Sequence, residues 1–372
     1  MIVLGWLCAI ALAAIWGGYP LVVRALGGLR PRRDGANSGP VPAVSIILAS
    51  NGEPADIRAR VADLLATAYP AEQLELIIAL DSAAARSTPS DLCDIDPRVQ
   101  AIVGDAPGGK ASSLNAAVRL ARNEFLVFTD TAQRFHADAI GELVARFDEA
   151  RVGAVSGMLE LPGAQGRRNL AEQYWRYERW LRRWEARVHS CVGVTGAIYA
   201  MRRGLWEPLP AGLILDDLFQ PMRLVLAGWR IAFTERALAH DVRRFAAGQE
   251  YKRKVRTLTG VIQVCAWLPG VMNPGRNPVW IQFLCHKLLR LLTPYLAAGV
   301  MLGVAWAVAR AVATSPLAVP ALVAAGVLVV LACVIPRARR ALRAQIAWGF
   351  AMQSSIVVAT VNGLRGRWDV WQ

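Results

Sequence analysis

Long uncharged stretches lie at both ends of the chain, and a more polar segment separates them. Residues 2–23 carry no charge and are followed by several arginines. A membrane helix needs about 20 mostly apolar residues, whereas a cleavable signal peptide has a basic start and a shorter apolar run. We therefore predict a transmembrane helix over residues 1–26, and the arginines after it place the next segment in the cytoplasm.

The C-terminal third returns to apolar sequence. Glycine and proline interrupt residues 257–290, for which we predict an interfacial amphipathic region rather than a clean span. Residues 291–372 form a predicted C-terminal transmembrane region. Within it, 291–309 and 311–336 read as spans, and 344–364 is a third candidate that glutamine, serine and asparagine weaken. The region thus contains two or three spans, and the topology of its last segment stays open.

The segment between the membrane regions alternates strand patterns with helix patterns. Apolar, β-branched runs bounded by turn residues predict strands, and apolar positions three or four apart predict helices. The predicted strands are 44–50, 74–80 and 125–128, and the predicted helices are 57–66 and 112–122. This alternation is typical of an α/β domain whose mostly parallel sheet is covered on both faces. We place this domain at residues 40–256.

Each of the three predicted strands ends near an acidic residue. Glu53, Asp81 and Asp130 follow the first, second and third strand. The carboxyl ends of parallel strands meet at one edge of a sheet, where ligands bind, so the three carboxylates would gather there. Because like charges repel, a cation or a ligand rich in hydroxyls and amides would then be needed. Alternatively, each acid caps the helix that follows it.

A glycine-rich turn before the third strand allows another hypothesis. Residues 104–111 nearly match the phosphate loop GxxxxGK[ST], with Lys110 in the lysine position. Ala111 replaces the hydroxyl that binds magnesium in such loops, and the loop precedes Asp130 by a single strand–helix unit. A P-loop-like ATPase is therefore an alternative that both features count against.

The composition favours a membrane protein. Lys and Arg number 42 against 28 Asp and Glu, a formal net charge of +14, while 55% of the residues are hydrophobic and 19% are charged. A typical soluble domain has about 25% charged residues. The basic excess therefore points to anionic membrane lipids rather than to nucleic acid. The 6 cysteines form no CxxC pair, as expected of buried thiols in a reducing compartment.

These features occur with a series of short motifs in a fixed order. The series comprises Asn51 and Glu53 after the first strand, Tyr69-Pro70 before the second, Gly108-Gly109-Lys110, Phe128-Thr129-Asp130, Tyr174 to Glu178, Gly193 to Ala197, Asp216-Asp217, Gly228-Trp229-Arg230 and Arg253 to Arg256. It resembles the membrane-anchored family 2 glycosyltransferases, inverting enzymes of GT-A fold that include bacterial exopolysaccharide transferases. The resemblance extends from about residue 19 to residue 287.

The resemblance implies a role for each motif. Asp217 would be the catalytic base that takes the proton of the acceptor hydroxyl, and Asp216 would orient or hydrogen-bond a group beside it. Asp130 would ligate Mg²⁺ or Mn²⁺, the implied cofactor. Arg253 and Arg256 would bind phosphate on a loop that closes over the donor. Together the implied donor-binding residues are Asn51, Glu53, Asp81, Lys110, Asp130, Arg253 and Arg256.

On the acceptor side, the resemblance points to Thr195, Gly196 and Trp175. Trp175 belongs to a basic and aromatic stretch, residues 167–187, that has helical spacing. We favour a helix that packs on the sheet or lies on the lipid surface. Stacking of these aromatic rings on an acceptor sugar is the alternative.

Two positions depart from the family pattern. Ala132 stands where the DxD motif of the family usually has a second Asp or Asn, so one metal ligand is missing. Gln133 or His240 is a candidate replacement. Thr257 stands where processive synthases carry a tryptophan beside the acceptor sugar. This second departure argues for the addition of a single sugar.

The sequence thus predicts a multi-pass protein of the bacterial inner membrane with its GT-A domain in the cytoplasm. It would transfer a sugar from a nucleotide sugar, expected to be UDP-linked, to a lipid-linked or saccharide acceptor. A processive polysaccharide synthase is the first alternative. A non-catalytic relative that binds nucleotide sugar and regulates a partner is the second, and Ala132 is its support in the sequence.

Overall fold

The computed structural model of the protein forms two compact units. It describes residues 1–31, 40–149, 151–160, 170–243, 247–320, 322–324 and 336–369. The first unit consists of Met1–Val22, Ala246–Thr259 and Leu284–Arg367, and the second of Val23–Phe245, Gly260–Phe283 and Trp368–Gln372. The predicted soluble domain therefore falls almost entirely within the second unit.

A single mixed sheet forms the centre of the second unit. Within the described ranges its strands are β1 (Val44–Ser50), β2 (Leu74–Leu80), β3 (Val99–Val103), β4 (Phe125–Thr129), β5 (Gln133–Phe135), β6 (Val152–Glu160), β7 (Ile198–Arg202) and β8 (Arg230–Asp241). Their order in the sheet is β3-β2-β1-β4-β7-β6-β8-β5. Strands β3, β2, β1 and β4 are parallel, as are β6 and β8, whereas β7 is antiparallel to both its neighbours and β5 to β8. The prediction of a mostly parallel sheet is confirmed.

Helices precede, cover and follow this sheet. In the described part of the chain they are α1 (Ile2–Ala13), α2 (Tyr19–Gly28), α3 (Pro54–Leu65), α4 (Gly109–Leu120), α5 (Ala139–Val144), α6 (Leu170–Val188), α7 (Asp216–Leu226), α8 (Ala247–Trp267), α9 (Trp280–Phe283), α10 (Thr293–Thr314) and α11 (Pro336–Leu364). Of the predicted aromatic stretch at 167–187, the first three residues lie outside the described residues.

Burial on both faces explains why the first strands were visible in the sequence. Ile46 and Leu48 of β1 and their neighbour Ile47, on the opposite face, are all fully buried. Strands covered on both faces read as continuous apolar runs, and β1 and β2 have the predicted bounds. The helix α3 packs on one face through Ile57 and Leu64, which helical spacing brings to the same side.

Three helices in the described residues are long and apolar enough to cross a membrane: Ile2–Gly28, Trp280–Thr314 and Arg343–Leu364. The first joins α1 to α2 through a π-helical turn, the second joins α9 to α10 through a π-helical and a 3-10 turn, and the third is the C-terminal part of α11. The first and the last correspond to the predicted spans at the N-terminus and at 344–364. The middle helix begins at Trp280, so the predicted boundary between an interfacial region and a span at residue 290 falls inside a helix. Residues 321 and 325–335 of the predicted span at 311–336 lie outside the described residues, and residues 311–314 belong to α10.

Small residues let α1 and α10 approach closely within the first unit. A Cβ added to Gly303 would lie 2.7 Å from the Cα of Gly5, and one added to Gly299 would lie 2.5 Å from the Sγ of Cys8. Small residues at helix contacts are typical of membrane proteins, where close backbone packing drives association. The pair is also joined at its other end, since the indole of Trp16 donates to the hydroxyl of Thr293 at 3.1 Å.

We expect the substitution Gly303→Ala to destabilise this helix pair. The added methyl group meets backbone atoms of Gly5, which do not move aside as a flexible side chain does, and overpacking of this kind costs about 1–3 kcal/mol. Thermal unfolding of the full chain in detergent measures the effect. Gly349→Ala on α11 is the matched control, because its Cβ meets no atom within 4 Å and alanine favours helix. Equal unfolding temperatures for the two variants would contradict the prediction.

Candidate active site

The candidate site lies where the carboxyl ends of β1, β2 and β4 come together. Strand β1 is hydrogen-bonded between β2 and β4 in parallel register, so the residues that follow these strands are neighbours. Asn51 and Glu53 follow β1, Asp81 follows β2, and Asp130 follows β4. The first two ends are joined directly, since the Asp81 N–H donates to the carbonyl of Ser50 at 3.0 Å.

Lys110 connects Asp130 with the acid pair that was predicted to be catalytic. Its Nζ lies 3.1 Å from Asp130 Oδ1 and 3.4 Å from Asp216 Oδ2. Gly108 and Gly109 precede it with φ angles of 94° and 86°, a conformation that glycine adopts without strain. They turn the chain into α4 so that Lys110 falls in its first turn. One ammonium group therefore joins the end of β4, the start of α4 and the start of α7.

The charges of this cluster determine its protonation. Burial raises the pKa of Asp216, and the neighbouring carboxylates of Asp217 and Asp130 add to the rise, whereas Lys110 opposes it; the net pKa is raised. Burial lowers the pKa of Lys110, but the three carboxylates raise it by more, so its net pKa lies above the ordinary value. Lys110 is thus a cation at neutral pH, held by the acids around it.

Two glycines bring the predicted acceptor loop against Asp217. The N–H of Val194 donates to the carbonyl of Asp217 at 2.8 Å. Gly193 has a φ of 85°, and a Cβ on it would lie 3.0 Å from the same carbonyl. A Cβ on Gly196 would lie 3.1 Å from the carboxylate oxygen Oδ2 of Asp217. The two glycines of the motif Gly193 to Ala197 therefore allow the loop to pass close to Asp217.

Polar side chains from two other elements fix the rest of this loop. The N–H of Thr195 donates to Ser156 Oγ at 2.9 Å, and Arg182 Nη1 donates to Thr195 Oγ1 at 2.8 Å. Arg182 lies on α6, about two turns after Trp175, which is half-buried and meets the ring of Tyr174 edge-on. Thr195 and Gly196 are thus part of one held loop, and Trp175 lies on the helix that helps to hold it.

Loop contacts also organise the side predicted for the nucleoside. Arg86 Nη1 lies 3.1 Å from Glu53 Oε1, and Arg86 Nε donates to the carbonyl of Asn51 at 3.3 Å. Asp81 Oδ1 accepts the N–H groups of Ala83 at 3.0 Å and of Gly109 at 2.9 Å, so it links the end of β2 to the first residue of α4. Glu53 stands at the start of α3 and makes no side-chain capping hydrogen bond there, which leaves its carboxylate to Arg86.

The two residues considered as replacements for Ala132 have other partners. Gln133 is buried, and its Nε2 donates to Asp241 Oδ2 at 3.0 Å. His240 is about half-exposed, and its Nδ1 lies 3.3 Å from Glu160 Oε2. A metal role for either of them stays a prediction.

Asp130 alone suits a metal that is shared with a phosphate ligand. Within the described ranges, no group of three or more His, Cys, Asp or Glu side chains is placed to hold a metal ion. Mg²⁺, however, is usually bound by one or two carboxylates together with substrate phosphates and water, and Mn²⁺ takes the same oxygen ligands. The carboxylate of Asp130 is 36% exposed at the sheet edge, as such an arrangement requires.

Arg253 and Arg256 lie on α8, in the first unit, and not on a loop as the sequence suggested. The expectation of a loop is wrong because residues 247–267 contain no proline and form one uninterrupted helix. A part for either arginine in donor binding stays a prediction.

The sequence reasoning missed several polar residues that lie in or beneath the site. They are Arg60, Arg86, Ser156 and Arg182. Of these four residues, Arg60 could have been found from the sequence, because it is a charged residue on the otherwise apolar face of α3 between Ile57 and Leu64. The others are single polar residues whose partners are distant in the chain.

The fold and part of the sequence match known proteins. A solved mannosyltransferase from Pyrobaculum calidifontis, in complex with GDP-Man and Mn²⁺, superposes with a TM-score of 0.72 at 20% identity, over 97% of this chain and 99% of that one. This likeness confirms the predicted GT-A fold. A curated relative, the beta-monoglucosyldiacylglycerol synthase of Trichormus variabilis, is 26% identical over 256 residues, or 61% of this chain. The match covers 53% of that relative, so the chain spans about half its length.

A family model agrees with these matches and covers the site. The model described as "Glycosyltransferase like family 2" matches residues 41–260. The matched range includes the glycine-rich turn at 104–111, which removes the support for a P-loop ATPase. Because the match spans more than half of the chain, the protein belongs to the family 2-like glycosyltransferases.

Proposed function

We propose that the protein is a membrane-bound, inverting glycosyltransferase that moves one sugar from a nucleotide sugar to an acceptor hydroxyl. The observation that carries the proposal is that Asp130 and Asp216 both contact the ammonium group of Lys110. Asp217 also interacts electrostatically with this ammonium group. An acid at the diphosphate side and an acid at the hydroxyl side are the two parts that inverting transfer needs.

The donor in this proposal is a UDP-linked sugar. Glu53 and Asp81 follow β1 and β2 at the sheet edge, and their carboxylates suit the N–H and hydroxyl groups of a base and a ribose. The solved mannosyltransferase is in complex with GDP-Man. A GDP-linked sugar is therefore the donor to test beside the UDP-linked ones.

The chemistry in this proposal gives each residue the role that the family resemblance implies. Asp217 accepts the proton of the acceptor hydroxyl as that oxygen attacks the anomeric carbon from the side opposite the leaving diphosphate. Asp216 keeps Lys110 in place, and the Lys110 ammonium contacts phosphate oxygens as charge develops on them. Mg²⁺ or Mn²⁺ held by Asp130 would supply Lewis-acid stabilisation of the departing diphosphate.

The acceptor in this proposal is a lipid or a lipid-linked saccharide. Three described helices have the length and apolar composition of membrane spans, and the curated relative is named as a synthase of a glucosylated diacylglycerol. We place the protein in the bacterial inner membrane in contact with membrane lipids. Its sheet domain lies in the cytoplasm in this proposal, because arginines follow the first span.

Two other functions are each favoured by one observation. Ala132, which removes a metal ligand from the usual motif, favours a relative that binds a nucleotide sugar without catalysis. The spans favour a processive synthase that also exports its product, against which Thr257 counts because it replaces an aromatic residue.

Release of nucleoside diphosphate by the purified full chain in detergent tests the proposal. The reaction contains a panel of UDP- and GDP-sugars, Mg²⁺ or Mn²⁺, and a membrane lipid extract as the source of acceptor. We expect release with one donor, dependent on the metal and reduced at least a hundredfold by Asp217→Asn, which keeps the shape but loses the base. Nucleotide binding without release by the wild type would favour the non-catalytic alternative, and polymeric product would favour the processive one.

Gly196→Ala should impair turnover while leaving donor binding intact. Its Cβ would press on the carboxylate of Asp217 at 3.1 Å, and a small displacement of a catalytic group lowers the rate about tenfold or more. We expect kcat to fall by about that factor and the donor KM to change less than twofold. Gly204→Ala is the matched control, because its Cβ meets no atom within 4 Å. A tenfold rise in donor KM with unchanged kcat would place Gly196 on the donor side instead.

A further inference from the structure

Arg60 is a buried charge beneath the site to which the proposed reaction gives no role. It lies on α3, and its side chain is 0% exposed. Burial lowers the pKa of Arg60 to about 10, so the guanidinium remains charged at neutral pH. A buried charge is unfavourable unless polar partners surround it, and the partners of Arg60 show what it holds in place.

The guanidinium of Arg60 joins three elements of the second unit. It forms an ion pair with Asp63 on the same helix and donates from Nη2 to Thr129 Oγ1, on β4, at 2.6 Å. It also lies over the ring of Phe135 on β5, 4.4 Å from the ring centroid. Asp63 in turn accepts the backbone N–H of Phe135 at 3.2 Å. Arg60 thus fastens α3 to the carboxyl end of β4 and to β5.

Thr129 extends this contact to both sides of the site. It is the last residue of β4 and directly precedes Asp130. Its hydroxyl accepts from Arg60 and donates to the carbonyl of Ala197 at 3.1 Å. Ala197 directly follows Gly196, the glycine that lies against Asp217. One hydrogen-bonded path therefore runs from Arg60 to the residue beside Asp130 and on to the loop beside Asp217.

Stability alone does not account for a charge at this position. Replacing a buried ion pair by apolar side chains of similar volume is often neutral or stabilising, and Ile57 and Leu64 on the same face of α3 are apolar. Arg60 Nε also has no hydrogen-bond acceptor among the described residues, and an unsatisfied buried donor is unfavourable. A methionine would fill the space without the unsatisfied Nε, but it would leave Asp63, whose side chain is 20% exposed, without its partner. Among the contacts of Arg60, the hydrogen bond to Thr129 is the one that reaches the site.

We propose that Arg60 is a positioning residue: through Thr129 it fixes the spacing between Asp130, on the donor side, and the Gly196–Ala197 loop, on the acceptor side. The proposal rests on the proposed function, because the two sides are defined by it. Without Arg60 the end of β4 keeps its strand pairing but loses its side-chain link to α3, and the Thr129 hydroxyl that donates to Ala197 loses the donor that orients it. The metal-dependent binding of nucleotide at Asp130 then weakens.

Calorimetric titration of the full chain in detergent with UDP and with GDP, each in the presence and absence of Mn²⁺, tests this inference. For Arg60→Met we expect Mn²⁺-dependent nucleotide affinity to fall about tenfold, and the thermal unfolding temperature to fall as well because Asp63 loses its partner. Arg58→Met is the matched control, because Arg58 lies on the same helix but pairs with Asp94 at the surface. It should bind as the wild type does.

A second pair of variants tests the path itself and does not require Arg60 to be replaced. Thr129→Val removes the hydroxyl at nearly constant shape, whereas Thr129→Ser retains it. We expect Thr129→Val to weaken Mn²⁺-dependent binding about fivefold and Thr129→Ser to restore it. A role in packing alone would make the two variants alike in affinity and different only in unfolding temperature.

The outcomes separate this inference from the proposed function. A wild type that binds neither nucleotide overturns both. A wild type that binds, together with a folded Arg60→Met of equal affinity, overturns the role of Arg60 and leaves the function intact. If Arg60→Met does not fold, wild-type affinity in Thr129→Val overturns the inference in the same way.

Discussion

The ammonium group of Lys110 is the interaction on which the arrangement of the site depends. Parallel strands bring their carboxyl ends to one edge of the sheet, and this chain places Asp130 there, opposite the start of α7 with Asp216 and Asp217. Three carboxylates in a partly buried space repel one another. Lys110, 3.1 Å from Asp130 and 3.4 Å from Asp216, is the cation that lets them coexist. The helix α4 must therefore start at this edge, as its two glycines with positive φ allow.

Close backbone approach is the second requirement. Gly108 lies against Asp81, and Gly193 and Gly196 lie against Asp217, so that in each case a Cβ would meet an atom at 2.7 to 3.1 Å. These glycines do not make the loops mobile. They let the backbone of a loop pass directly beside an acid. The loop that contains Gly193 and Gly196 is also held by the hydrogen bond from the N–H of Thr195 to Ser156 Oγ. The positions of Asp81 and Asp217 therefore depend on glycine at the neighbouring loop positions.

The parts that the sequence predicted are those set by local pattern or by strand geometry. The bounds of β1 and β2 follow from continuous apolar runs, and the placement of Glu53, Asp81 and Asp130 after neighbouring strands follows from the parallel pairing. The loop predicted for Arg253 and Arg256 is wrong because residues 247–267 contain no proline and continue as one helix. The position of Arg60 on the apolar face of α3 is visible in the sequence, but its partner Thr129 is 69 residues away, so local pattern does not indicate what the arginine contacts.

The charge of the site also explains why a metal ion and a donor belong together here. Burial raises the pKa of Asp216, Lys110 opposes the rise, and the carboxylates of Asp217 and Asp130 add to it. Under the proposed function, the diphosphate of the donor would bring more negative charge to these carboxylates. A divalent cation that shares Asp130 with the diphosphate offsets this charge. Ala132 lowers the number of competing carboxylates by one, and it leaves the diphosphate itself to supply the ligands that a second acid would have provided.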